Sequence, residues 1–231
     1  MTILGVVIGI GLAPLAPWFE HAVSRWHYVE PTCGDPRGLE ILDIKTMTAT
    51  GEATVEVTSE ADPLGKSRSK MNTFDGRPGS GWVPVTLSPR DDDAAAVSTE
   101  ASTDRMDLSF TSPQPISLVC AVNGNAADWV SYMRADRART VELRLGDGKQ
   151  EVMRRTSLRT LPEHELQERQ DIEMPDPAAW WTTKASYNRV SLTLLDRYLG
   201  SQVDDPNTGE AIDTPTRLVM LAEVEVWVDK Q

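Results

Sequence analysis

The feature that most restricts this chain is a period of two in its apolar residues. Val55 and Val57 alternate with polar neighbours, and so do Met106, Leu108 and Phe110. The same period recurs in Ile116, Leu118, Cys120 and Val122, in Val141, Leu143 and Leu145, in Val190, Leu192 and Leu194, and in Val224, Val226 and Val228. Side chains two residues apart leave a strand on the same side, so each run predicts a half-buried antiparallel strand with one apolar face. Between the runs stand turn signals: Asp75-Gly76, Pro78-Gly79, Asn123-Gly124, Gly146-Asp147-Gly148 and Asn207-Thr208-Gly209. Long helical periodicity is absent, apart from an acidic turn around Pro162 to Arg169. Many short strands between Gly and Asp turns predict an all-β sandwich or jelly roll over residues 31–231.

The first 30 residues have a different character. Met1 to Phe19 carries no charge until Glu20, with glycines at 5, 9 and 11 and prolines at 14 and 17. Such a stretch reaches just across a hydrocarbon layer of ~30 Å, and its glycines and prolines are better tolerated in a bilayer than in a soluble helix. Trp18, Trp26 and Tyr28 follow where an interfacial aromatic belt would sit. No basic n-region precedes Ile3, which argues against an ordinary secretory signal. Residues 1–30 are therefore expected to form one membrane helix or uncleaved signal anchor, with 31–231 as the folded domain.

The chemistry available to the domain is narrow. Asp and Glu number 35 against 23 Lys and Arg, a net charge of -12, which excludes a nucleic-acid binder that must neutralise phosphates. Two cysteines exclude a disulfide-dense scaffold or a four-cysteine zinc site. His21, His27 and His164 have no nucleophile motif nearby, and neither Gly-x-Ser-x-Gly nor His-Glu-x-x-His occurs. The expectation is a protein that is not an enzyme. Two loops are unusual. Asp91-Asp92-Asp93 reads either as a metal-seeking cluster or as a solvated insert. In Pro175 to Lys184 the adjacent Trp180 and Trp181 cannot both enter one core. Either one of them is an exposed stacking platform, or one is buried and the other lies on an edge.

The loop motifs and their order carry a resemblance. Asn72-Thr73-Phe74-Asp75-Gly76-Arg77-Pro78-Gly79-Ser80-Gly81-Trp82 resembles the Asp-Gly loop of discoidin-like domains, the coagulation-factor type C jelly rolls of the galactose-binding-like class. Val122-Asn123-Gly124 followed by Arg137, Val141 and Leu143 is similar to that family's Asn-Gly hairpin. Gln170-Asp171-Ile172, the strand Val190 to Gly200 and the closing Leu221-Ala222-Glu223-Val224 follow in the family's order. The nearest variety is the NADase-type glycan-binding domain of bacterial membrane-anchored envelope proteins.

The resemblance implies a structural calcium at Asp75, Ser80 and Glu223, with the Ala222 carbonyl as a further donor. This chain departs from the pattern at Arg77, where many members place a second acid, and an ion pair of that arginine could take the metal's place. No other cofactor is expected. Trp82 is expected to pack the sandwich, and Arg137 to pair with a carboxylate at the core edge. The resemblance also places the connection Asn125 to Asp136 at the recognition end, where Trp129 and Tyr132 are expected to stack on a pyranose and Arg134 to bond its hydroxyls or a carboxylate. The competing expectation is that Trp129 and Tyr132 merely close the core. Cys33 and Cys120 either form a disulfide that pins the start of the domain, or Cys120 is a buried free thiol unrelated to Cys33. Two functions follow. One is a membrane-tethered, extracytoplasmic, non-catalytic carbohydrate-binding module in a single-pass cell-membrane protein. The other is an accessory subunit docking on a larger envelope complex.

Overall fold

The computed structural model describes residues 30–60, 68–84, 104–175, 185–205, 208–212 and 218–230. Every alternating run lies in a strand. Strands β1 (Leu39–Ile41), β2 (Ala53–Val57), β3 (Arg105–Gln114), β4 (Ile116–Asn123), β5 (Asp136–Gly146) and β6 (Glu151–Ser157) come first. They are followed by β7 (Gln170–Ile172), β8 (Tyr187–Tyr198), the two-residue β9 (Val203–Asp204) and β10 (Ala211–Ile212), and β11 (Val219–Asp229). Among the described residues two short α-helices interrupt them, α1 (Ile44–Thr50) and α2 (Trp129–Arg134). The acidic segment expected around Pro162 to Arg169 contains a single 3-10 turn, Glu163–Glu165.

The strands pair into two layers. The front runs β2-β3-β8-β5-β6 and the back β7-β4-β11-β1, each through antiparallel neighbours. The layers meet where the start of β11 pairs in parallel with the start of β5, Val219 beside Asp136 and Met220 beside Arg137. Inward-facing Val55, Leu108, Val190, Leu192 and Leu143 of the front pack on Val119, Ala121, Val224 and Val226 of the back in one apolar cluster. Trp82 is buried among them as expected, and its indole N–H donates to the Ser59 carbonyl at 2.8 Å.

β4 departs from the expected pattern. Its alternating set was expected to form the core face, yet Leu118 and Cys120 point to the outer side of the back sheet. The core is filled instead by Val119 and Ala121, opposite Val226 and Val224. An irregularity in pairing between Trp227 and Val228 then returns Ile116 to the core. β4 is apolar on both faces because both are covered. The segment between Cys33 and Leu39 crosses the outer face. The Cys33 amide donates to Asp171 of β7 at 2.6 Å, Cys33 is disulfide-bonded to Cys120 of β4, and Leu39 opens β1 beside β11. Strands at ~4.8 Å spacing put β1 within the ~20 Å reach of six extended residues.

The Met1–Phe19 segment lies outside the described residues. Among those described, no helix is long and apolar enough to cross a membrane.

A candidate ligand-binding cleft at the end of the sandwich

The turn after β4 organises this end of the molecule. Asn123 is fully buried, and its side-chain amide pairs with the Ala138 backbone on β5, accepting at 2.9 Å and donating at 2.6 Å. Gly124 has φ +80°, and a Cβ there would stand 2.8 Å from Arg137 and 3.1 Å from the Tyr132 ring. A side chain at this position is opposed by both backbone and space.

Helix α2 follows. Its N-cap, Asp128, accepts from the Ser131 amide at 2.8 Å and the Ser131 hydroxyl at 2.6 Å, and these bonds hold its carboxyl below the ordinary range. At the other end, Arg137 was expected to meet a carboxylate. Instead its Nη1 donates to the carbonyls of Tyr132 at 2.7 Å, Ala135 at 3.2 Å and Met133 at 3.3 Å, and its guanidinium lies 4.8 Å above the Tyr132 ring. The C-terminal carbonyls of a helix lack partners of their own, and this arginine satisfies them. Burial pushes the Arg137 guanidinium down from its usual value.

The expected recognition residues separate here. Tyr132 is 0% exposed, and its hydroxyl accepts from the Leu161 amide at 2.8 Å. A ring closed on all sides has no face for a sugar, so the stacking expected of Tyr132 gives way to its packing role. Burial also raises its phenol pKa. Trp129 is partly buried and stacks on Tyr132, with centroids 6.2 Å apart. Two residues along a helix turn the direction by about 200°, so Trp129 and Ser131 leave α2 on opposite sides. Ser131 and Arg134 share the other side and line a cleft of about 260 Å³.

The cleft is built from three stretches distant in sequence. Ser131, Arg134 and Ala135 come from α2 and its end, Asn125 from the turn before it, and Arg68, Gly79 and Val83 from the segment around the Asp75 loop. Leu218 precedes β11 and Met220 lies at its start. The Ala126 amide donates to the Pro78 carbonyl at 2.9 Å and fastens two of these walls together. Arg68 had no sequence signal; only the fold brings it beside Arg134. The volume lies just under the ~300 Å³ at which small-molecule clefts begin, enough for about one sugar ring.

Ser80 bonds Asp75, and Glu223 stands beside the Asp75-Gly76 turn. The Ser80 hydroxyl lies 3.1 Å from both Asp75 carboxylate oxygens, and the Arg77 amide donates to Asp75 Oδ1 at 3.0 Å. Glu223 Oε1 stands 3.7 Å from where a Cβ on Gly76 would be. Burial, then Glu225, then Asp75 push the Glu223 carboxyl up, with Arg169 opposing them. Ala222 is buried in the adjoining cluster, and the Arg77 side chain is exposed. Among the described residues, the one group of three or more His, Cys, Asp or Glu with metal-ligand spacing is Cys33, Cys120 and Asp171. Its two sulfurs are joined to each other in the disulfide. Trp180, Trp181 and Asp91 to Asp93 lie outside the described residues.

No protein-family model matches the sequence, and no curated protein matches it. The F5/8 type C domain of a Bacteroides fragilis protein is 14% identical, with TM-score 0.49, over 85% of this chain and 100% of that one. CBM32-3 of a Clostridium perfringens family 31 glycoside hydrolase is 14% identical, with TM-score 0.48, over 82% of this chain and 95% of that one. The family 32 CBM of C. perfringens NanJ, solved with galactose, is 10% identical, with TM-score 0.43, over 82% and 98%. The architecture given above rests on this chain's own strand pairing. The solved domains it resembles are F5/8 type C and family 32 CBM domains.

Proposed function

We propose that this protein is a non-catalytic carbohydrate-binding module of discoidin-like architecture, held at the outside of a cell membrane by its apolar N-terminal segment. One observation carries the reading. Loops, α2 and the start of β11 line a concavity of about 260 Å³ to which Val83, Ala135, Leu218 and Met220 bring apolar groups and Arg68, Asn125, Ser131 and Arg134 polar ones. Apolar floors take the C–H face of a pyranose, and fixed polar groups orient its hydroxyls. Among the described residues, the lining offers guanidiniums, an amide and a hydroxyl but no carboxylate, imidazole or thiol. It suits holding a ligand rather than exchanging protons with one. The ordered loop motifs support the same reading, and the narrower kinship to the NADase-type variety, the bacterial envelope and the single-pass tether belong to this proposal.

A structural calcium is part of the reading. Asp75 and Glu223 supply two carboxylates with a hydroxyl nearby, a small share of the six to eight oxygens calcium takes. A carboxylate pushed up by burial and by Glu225 and Asp75 beside it is one that a cation would relieve. The test is a glycan array probed with the full chain in detergent, with and without calcium. Binding to envelope glycans that weakens when Asn125→Ala and Ser131→Ala are combined is the expected result. Absence of binding to every glycan, together with co-purification in a stable membrane complex, would overturn it in favour of the accessory-subunit reading.

A further inference from the structure

The outer side of the back sheet holds a set of donors that carbohydrate binding leaves unused. Cys120 of β4 and Asp171 of β7 stand directly opposite each other in the strand pairing. Residues so opposed project from the same face of a sheet, with Cβ atoms about 5 Å apart. Cys33 arrives over them from the segment before β1, its amide donating to Asp171 Oδ1 at 2.6 Å. The two sulfurs and a carboxylate oxygen of Asp171 lie within 4.8 Å of one another. We propose that the protein in its dithiol state, before Cys33 and Cys120 are joined, binds one zinc ion through both thiolates and the Asp171 carboxylate. The ion then clasps the roofing segment to β4 and β7 in place of the disulfide.

Zinc binding moves no electrons. Each thiol gives up its proton as the metal–sulfur bond forms. Closing the disulfide instead takes two electrons and two protons from the same pair of thiols, so the two clasps exclude each other. The donors choose the metal: thiolates with one carboxylate suit zinc, whereas calcium and magnesium take oxygen ligands. Zn–S bonds of ~2.3 Å in a tetrahedron part the sulfurs by about 3.8 Å, with the carboxylate oxygen ~2.1 Å from the ion. The Cα atoms of the two cysteines are 5.8 Å apart, so rotation of their side chains suffices. Asp171 keeps Oδ2 for the ion while Oδ1 holds the Cys33 amide. Leu39, Leu118 and Trp227 pack around the sulfurs as an apolar shell. Glu225 faces Cys120 from β11, but it is engaged by Arg169 and the Trp227 indole. Asp171 is the exposed member of the three, and water completes the fourth position from its side.

The test titrates cobalt(II), then zinc, into the full-length protein in detergent after a phosphine has reduced the disulfide and been removed without air. The expected result is one cobalt per chain, with a thiolate-to-cobalt charge-transfer band and the visible bands of a tetrahedral ion, all lost when zinc displaces it. The oxidised protein and Cys33→Ser with Cys120→Ala should show neither. Asp171→Asn keeps an acceptor for the Cys33 amide but loses the charge, and should weaken zinc binding at least tenfold. No charge-transfer band in a reduced protein whose circular dichroism is unchanged would overturn the site. So would zinc affinity that Asp171→Asn keeps, or one metal shared by two chains. Where reduction loosens the sheet, recovery of its circular dichroism on adding zinc supports the clasp, and failure to recover refutes it. Glycan binding is untouched by either outcome.

Discussion

The two outer faces of the sandwich solve the same problem in opposite ways. On the front, alternation places polar groups outward, and two carboxylates sink beneath the arginines that pair with them. Asp107 is held by Arg105 at 2.8 Å, by Arg189 at 3.1 Å and by the Ser191 hydroxyl, and Glu142 by Arg144 and Arg155 at 2.6 and 2.8 Å. Glu142 is 2% exposed, while the guanidiniums above it stand largely in water. On the back, Leu118 and Cys120 point outward and are roofed by the chain at Cys33 and Leu39 with Trp227 beside them. One carboxylate, Glu225, is enclosed there between Arg169 at 2.6 Å and the Trp227 indole at 3.1 Å. A strand face can be left to solvent if its charges pair across strands, or made apolar if another segment covers it.

The comparison can be broken most severely on the back. The disulfide spans a sequence separation of 87 residues. Closing a loop of that length restricts the unfolded chain by about 4–5 kcal/mol in the entropic account. Cys33→Ser with Cys120→Ala should therefore lower stability in urea unfolding by about that much, and a loss below ~1 kcal/mol would show that the roof stays in place without its covalent tie. On the front, Glu142→Gln removes the shared acceptor of two arginines. Because those arginines are largely exposed, the expected loss at neutral pH is about 1–2 kcal/mol rather than that of a wholly buried pair.

The sign of the pH dependence sharpens the contrast. Hydrogen bonds from Arg155 and Arg144 hold the Glu142 carboxyl below its ordinary value despite burial. For Asp107, burial is outweighed by Ser191, Arg105 and Arg189. Groups lowered in the folded state add stability above their unfolded pKa and lose it as pH falls through the folded one. The acid limb of the stability curve should thus flatten in Glu142→Gln. Glu223, beside the back face, is raised, so its contribution is present below its unfolded pKa and lost as pH rises through the folded value. Glu223→Gln should make the protein more stable at pH 7 without calcium, and leave it unchanged near pH 3. The same variant should erase any rise in melting temperature on adding calcium. A wild-type melting temperature identical in calcium and in chelator would retire the ion and leave the pH effect.

The strands were legible because period two survives in any sequence that must face a core on one side. What alternation did not reveal was which side of β4 that core lies on. Leu118, Cys120 and Val122 make as good an apolar stripe as Val119 and Ala121, and only the roofing segment around Cys33 decides between them. The two short helices escaped notice for a related reason. α1 and α2 have 7 and 6 residues, too few for a helical period to show. Their caps were readable all the same, Asp43 bonding the Thr46 amide and Asp128 the Ser131 amide. At the site, Arg134 lines the cleft, whereas Tyr132 is held in the core by its ring and the Leu161 amide. Arg68 could not be read from sequence, since nothing near it marks a site and its relation to Arg134 exists only once β11 and the Asp75 loop have come together through the Trp82–Leu221 bridge.

The bond between Cys33 and Cys120 also fixes how the molecule would carry tension. A pull applied between the chain on the N-terminal side of Cys33 and any point beyond Cys120 passes directly from one sulfur to the other. The intervening stretch, with β1, β2, β3 and the wall of the cleft that holds Arg68, Gly79 and Val83, lies off the line of force. A pull that enters the domain beyond Cys120 therefore loads the strands after Cys120 first and leaves the backbone of the intervening stretch unstretched.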